Sequence, residues 1–151
     1  MKILCTILAL STLCLVGCGA NSGLPPSSSV TLTLAPAQST IGAGGTVTLQ
    51  ATVSGFTAPP YLSWWMQEQH DAGMTGSENC DDIKPVNQDL IPTCRFGYIV
   101  VDSMQQDSST ATYHAPSTPG TYHVTFWATQ TSTTVIGEWV EKRATASITV
   151  Q

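Results

Sequence analysis

Apolar and polar residues alternate along most of this chain. Residues 30–34 (VTLTL) alternate with period two, the signature of a half-buried strand. A Gly-rich turn follows. Val47, Leu49, Ala51 and Val53 then share one face, opposite Thr48, Gln50 and Thr52. Further strands are predicted over 61–66 (YLSWWM), 97–102 (GYIVVD), 110–114 (TATYH), 121–129 (TYHVTFWAT) and 144–150 (ATASITV). Tyr122, Val124, Phe126 and Ala128 face inward together, as do Ala144, Ala146, Ile148 and Val150. No helical period stands out beyond the N-terminal segment. About seven short strands separated by turn signals predict an all-β, antiparallel sandwich.

The N-terminal segment has a different pattern. After Lys2, residues 3–16 are unbroken apolar and small residues, with only Thr6, Ser11 and Thr12 as hydroxyls. That run is shorter than the ~20 residues a spanning helix needs, so it reads as the apolar core of a secretory signal. Residues 15–18 (LVGC) resemble the lipobox of bacterial lipoproteins. That resemblance implies cleavage before Cys18, a diacylglycerol on its thiol, and acylation of the new amino group with a fatty acid such as palmitate. Cys14 fits less well, because Leu13 before it is large. Residues 1–17 are therefore expected to be a signal peptide. Residues 18–29 are rich in Gly, Ser and Pro and are expected to be a flexible tether. Localisation at the bacterial cell membrane is implied, or at the outer membrane if the host has one.

Of five cysteines, Cys5 and Cys14 leave with the leader and Cys18 carries lipid. Cys80 and Cys94 remain in an oxidising compartment, where a disulfide between them is expected. The bridge closes a loop of about 15 residues, worth roughly 3 kcal/mol in the chain-entropy model.

The body also carries a family pattern. The strings "VTLTLAPAQSTIGAGGTVTLQATVSG", "LSWW", "ATYHAPSTPGTYHVTFWATQ" and "ATASITV" resemble bacterial Ig-like domains over residues 30–66 and 108–151. The resemblance implies an Ig-like β-sandwich over 30–151, with Tyr122 as the tyrosine-corner residue and Trp64 or Trp65 in the core. The second and sixth strands hold no cysteine, so the Cys80–Cys94 bridge belongs instead to an insertion, residues 67–95. Loops beyond about 15 residues are often functional. This one carries Glu68, Asp71, Glu78, Asp81, Asp82 and Asp89 against Lys84 and Arg95.

Composition narrows the chemistry. The net charge is −5, and after the leader four cations face ten acidic residues. Such a chain repels phosphate backbones, so nucleic acid is not an expected partner. Asp81 and Asp82 with Glu78 are a start toward calcium, but the EF-hand spacing is absent. Met66, His70 and Met74 offer soft ligands for copper, at a spacing that converges only on a helix. No nucleophile elbow, HExxH, phosphate loop or dinucleotide fingerprint is present. No cofactor and no enzymatic activity are expected.

Tryptophans supply the remaining signal. With Phe126 inward, Trp127 faces out, and Trp139 has outward parity on the last strand. Exposed tryptophans suit sugar stacking or a protein anchor, and a cross-strand aromatic pair merely covering the sheet is the plainer use. The expectation is a lipid-anchored, non-catalytic module of the cell envelope that recruits another envelope or surface protein. The candidate surfaces are the insertion, with His70, Asp81 and Asp82, and the outward Trp127 and Trp139. The alternative expectation is polysaccharide binding through Trp127 and Trp139.

Overall fold

The alternating segments pair into two four-stranded sheets in a computed structural model, which describes residues 23–75, 79–86 and 89–151. For 81–86 and 89–93 it describes the backbone alone. The first sheet runs β1 (Thr31–Ala35), β3 (Thr46–Ser54), β8 (Ser108–His114), β7 (Tyr98–Met104), all antiparallel. The second runs β2 (Gln38–Ile41), β10 (Trp139–Val150), β9 (Gly120–Thr131), β4 (Tyr61–Met66). In it β2 lies parallel to β10. A short helix, α1 (Gln67–Asp71), and a hairpin of β5 (Cys80–Val86) and β6 (Asp89–Cys94) occupy the insertion.

Inward faces follow the sequence pattern. Leu49, Ala51 and Val53 from β3 meet Val124, Phe126, Ala128, Ala146 and Ile148 from the opposite sheet, and all are buried. Trp64 is the tryptophan that turns inward. It packs at 4.6 Å from Phe126, and its indole N–H donates to the buried Ser109 hydroxyl at 2.8 Å. The Ser109 O–H in turn donates to the Ser103 carbonyl at 2.8 Å, so this buried pair of polar groups is satisfied. Tyr122 O–H donates to the Thr118 carbonyl at 2.9 Å, the upstream backbone bond of a tyrosine corner.

Two expectations need correction, and one element was not foreseen: among the described residues the two sheets also include β2, formed by Gln38–Ile41 after Pro36. The second sheet is mixed rather than purely antiparallel, since β2 joins its edge in parallel. The insertion is not a bare loop: it begins as a helix and continues as a paired hairpin.

The two ends of the sandwich differ. The N-terminal segment and the loops 55–60, 105–107 and 132–138 meet at one pole. Thr57 O–H donates there to the Gly23 carbonyl at 2.7 Å, and Val53 N–H donates to the Asp107 carbonyl at 2.7 Å. The Gln130 amide ties the 55–60 loop to β9 through Thr57 N–H at 3.1 Å. The insertion leaves the second sheet at Met66 of β4 and enters the first at Tyr98 of β7, which places it at the other pole. It starts opposite Val124 of β9, so at about 3.3 Å per residue the seven steps to Thr131 set it roughly 23 Å from the first pole.

Candidate functional site

Two surfaces carry the candidate residues. The first is the outer face of β4, β9 and β10. Leu62 and Met66 point inward, so Tyr61, Ser63 and Trp65 alternate outward along β4. Ser63 is the register partner of Trp127. Its small side chain leaves a gap that the Trp127 ring fills, 5.8 Å from both Tyr61 and Trp65. His70 from α1 stacks on Trp65 at 5.4 Å and 18°. Arg143 lies over Trp65 at 5.3 Å and pairs with Glu141, which also accepts the Trp127 indole N–H at 3.3 Å. The result is a row of four rings, Tyr61, Trp127, Trp65 and His70, braced by an ion pair.

Trp127 does point outward, but it is half-buried within this row rather than open. Trp139 is 60 % exposed and stands apart, opposite Thr131 at the start of β10. It borders a shallow cleft with Leu24, Pro25 and Pro26. The two tryptophans therefore do not share one platform.

The second surface is the insertion. Met66 ends β4 opposite Val124, so the next β9 amide has no strand partner there. Glu68 supplies one: its carboxylate accepts the His123 backbone N–H at 2.9 Å and faces His123 Nδ1 at 2.7 Å. At the other end of the insertion Asn79 is 2 % exposed. Its amide donates to the Gly97 carbonyl at 2.8 Å and accepts from Phe96 N–H at 3.0 Å. Its backbone carbonyl accepts Arg95 N–H at 2.8 Å. Beside it Cys80 and Cys94 are register partners and are disulfide-bonded. Gly97 completes the clasp at φ +81°, a left-handed conformation, with the His114 carbonyl where a Cβ would stand.

A cleft of about 420 Å³ lies between α1, β4 and β7, and Met66, His70, Met74 and Tyr98 line it. The three soft groups thus reach one wall. Met66 is a core residue, while the His70 ring rests on Trp65 and its Nδ1 faces Asp71 at 3.3 Å. Among the described residues no group of three His, Cys, Asp or Glu side chains converges. The Asp81 and Asp82 side chains, Glu78 and Cys18 lie outside the described residues.

Two phenols are perturbed. Burial pushes the Tyr113 phenol well above its usual range, with Tyr122 and then Glu68 adding to the shift. Tyr122 is also raised, by burial first and by the Glu68 charge second. Tyr113 O–H donates to the Phe96 carbonyl at 2.8 Å, tying the core to the insertion's return. Both are neutral structural donors and supply no base.

No protein-family model matches the chain, and no curated protein matches it. Among solved structures it is similar to the titin M3 domain, at 17% identity and a TM-score of 0.41, covering 81% of this chain and 96% of that one. It is also similar to the Yersinia pseudotuberculosis adhesin InvE, at 15% identity and a TM-score of 0.39, covering 87% of this chain and 29% of that one.

Sequence reasoning missed the roles of Tyr61 and Asn79 and counted Glu68 only among the charges of the insertion. Tyr61 was legible from parity, since Leu62 inward forces it outward. Glu68 and Asn79 were not, because both act on backbone groups brought close only by folding.

Proposed function

We propose that this protein is a lipid-anchored, non-catalytic Ig-like module of the cell envelope that presents its insertion to another envelope or surface protein. The strand orders β1-β3-β8-β7 and β10-β9-β4 support the Ig-like reading, since they correspond to the A-B-E-D and G-F-C sheets of that architecture. One observation carries the functional part: the chain enters the domain at one pole and the insertion stands at the other. A module tethered by Cys18 therefore holds its most charged segment away from the anchor. The clasp of Asn79, the disulfide and Glu68 ties the two ends of that segment to the sandwich, which lowers the entropy lost on recognition.

Polysaccharide binding has less support. Tyr61 meets Trp127 edge-on at 71°, and Trp65 is tilted from it by 39°, so the row is not a flat stacking platform.

Position-specific photo-cross-linking in the host tests the reading. A photoreactive residue at Ala72, exposed just after α1, is expected to yield one discrete protein adduct. The same probe at Thr48, exposed on β3, is expected to yield none. No adduct at 72, or the same adduct at both positions, overturns it.

A further inference from the structure

The pole where the chain enters has an unusual surface. Its segments 23–30, 55–60, 105–107 and 132–138 hold only two charged residues, Asp107 and Glu138. The insertion, 67–95, holds eight, six of them acidic. The entry pole also exposes large apolar side chains. Ile136, at the tip of the β9–β10 turn, is fully exposed, and Trp139 and Tyr61 are 60 % and 64 % exposed at the same pole. Trp139 adjoins Leu24, Pro25 and Pro26 in a cleft beside the chain's entry, so the apolar surface there is continuous with the entering segment.

The length of chain outside the domain says what covers it. Gly23 is already tied to Thr57, and Pro25 is buried near Trp139. Four residues lie between Cys18 and Gly23, and the five steps span at most ~18 Å when extended. If Cys18 carries lipid, this pole cannot move far from the bilayer surface. Tryptophan favours that interface, where its ring sits among the headgroups. The acidic far pole gains nothing from an anionic lipid surface and is turned away from it.

We infer that the pole bearing Ile136 and Trp139 rests on the lipid bilayer, so that the domain stands upright with its insertion outward. This rests on the anchoring read from Cys18, and the two can be tested separately. The chain from Cys18 onward contains one free thiol, because Cys80 and Cys94 are bonded to each other. It can be coupled through Cys18 to phosphatidylcholine vesicles carrying a maleimide lipid and brominated acyl chains. That anchors it whether or not the cell does so.

Bromine is expected to quench the coupled protein's tryptophan fluorescence, and Trp139→Phe to remove about half or more of that quenching, as a ring at the interface would. Ile136→Asp, at a fully exposed position, is expected to reduce it while leaving the melting temperature unchanged. Absence of quenching in the coupled protein, or equal quenching in Trp139→Phe, overturns the inference. The anchoring itself fails on a different result, namely a Cys18→Ser chain that still fractionates with host membranes.

Discussion

The Glu68 carboxylate lies 2.7 Å from His123 Nδ1 and accepts the His123 backbone N–H as well, at 2.9 Å. One side chain from α1 thus continues the ladder of β9 past the point where β4 ends. It also explains why a five-residue helix without a side-chain cap stays in place. Isolated helices this short do not persist in water, so tertiary contacts must hold it.

Glu68→Ala is expected to leave the His123 amide without its partner and to cost about 1 kcal/mol. The decisive measurement is amide hydrogen exchange. Protection should fall at His123 and in α1 while Phe126, deep in β9, stays protected. Uniform loss of protection would mean that Glu68 supports the whole fold instead.

Asn79 should be the most sensitive polar residue of the insertion. Asn79→Ala orphans Phe96 N–H and the Gly97 carbonyl in a buried site, at a cost of about 1–3 kcal/mol for each unsatisfied group. Asn79→Asp keeps an acceptor for Phe96 N–H but turns a carboxylate oxygen toward the Gly97 carbonyl, and should be no better than alanine. Urea denaturation checks both. An aspartate variant as stable as the parent would sink this account.

Folding above neutral pH should be limited by phenols. Tyr113 and Tyr122 both have raised values in the folded protein, chiefly from burial. An unfolded tyrosine ionises near pH 10, so the folded state holds these protons more tightly than the unfolded state does. Their contribution is therefore fully present below about pH 10 and is lost as pH rises toward the folded values. Tyr113→Phe is expected to be less stable at neutral pH by about 1 kcal/mol, from the lost bond to the Phe96 carbonyl. Its further loss above about pH 10 should be shallower than the parent's. Denaturation midpoints across that range decide it, and parallel slopes would remove Tyr113 from the explanation.

How far the fold could be read ahead of time depends on what each residue answers to. The inward sets on β3, β9 and β10 were legible because burial on one sheet face imposes strict alternation. Tyr122 was named only through the family resemblance, and its bond partner does lie in the local turn four residues upstream. β2 was not legible: four residues at a sheet edge, QSTI, carry too short a pattern, and only β10 makes them a strand. The choice between Trp64 and Trp65 also needed the fold, since the inward one is fixed by Phe126 and Ser109 on other strands. The Cys80–Cys94 pair could be reasoned from the sequence, whereas the hairpin around it could not, with Pro85 and Pro92 inside its strands.

The aromatic row makes a prediction about a residue with no ring. Ser63 faces Trp127 across the β4–β9 register, and its size is what admits the indole between Tyr61 and Trp65. Ser63→Leu should push Trp127 off the sheet, part it from Glu141 and break both ring contacts. The site opens to solvent, so the strain is modest, about 1 kcal/mol. The optical change should be larger than the energetic one. Near-ultraviolet circular dichroism from the coupled tryptophans is expected to weaken, with the strand signal unchanged. Ser63→Ala keeps the gap and should leave the spectrum as it is. If leucine and alanine behave alike, the row is not organised by the gap at position 63, and Glu141 and Arg143 must hold Trp127 instead.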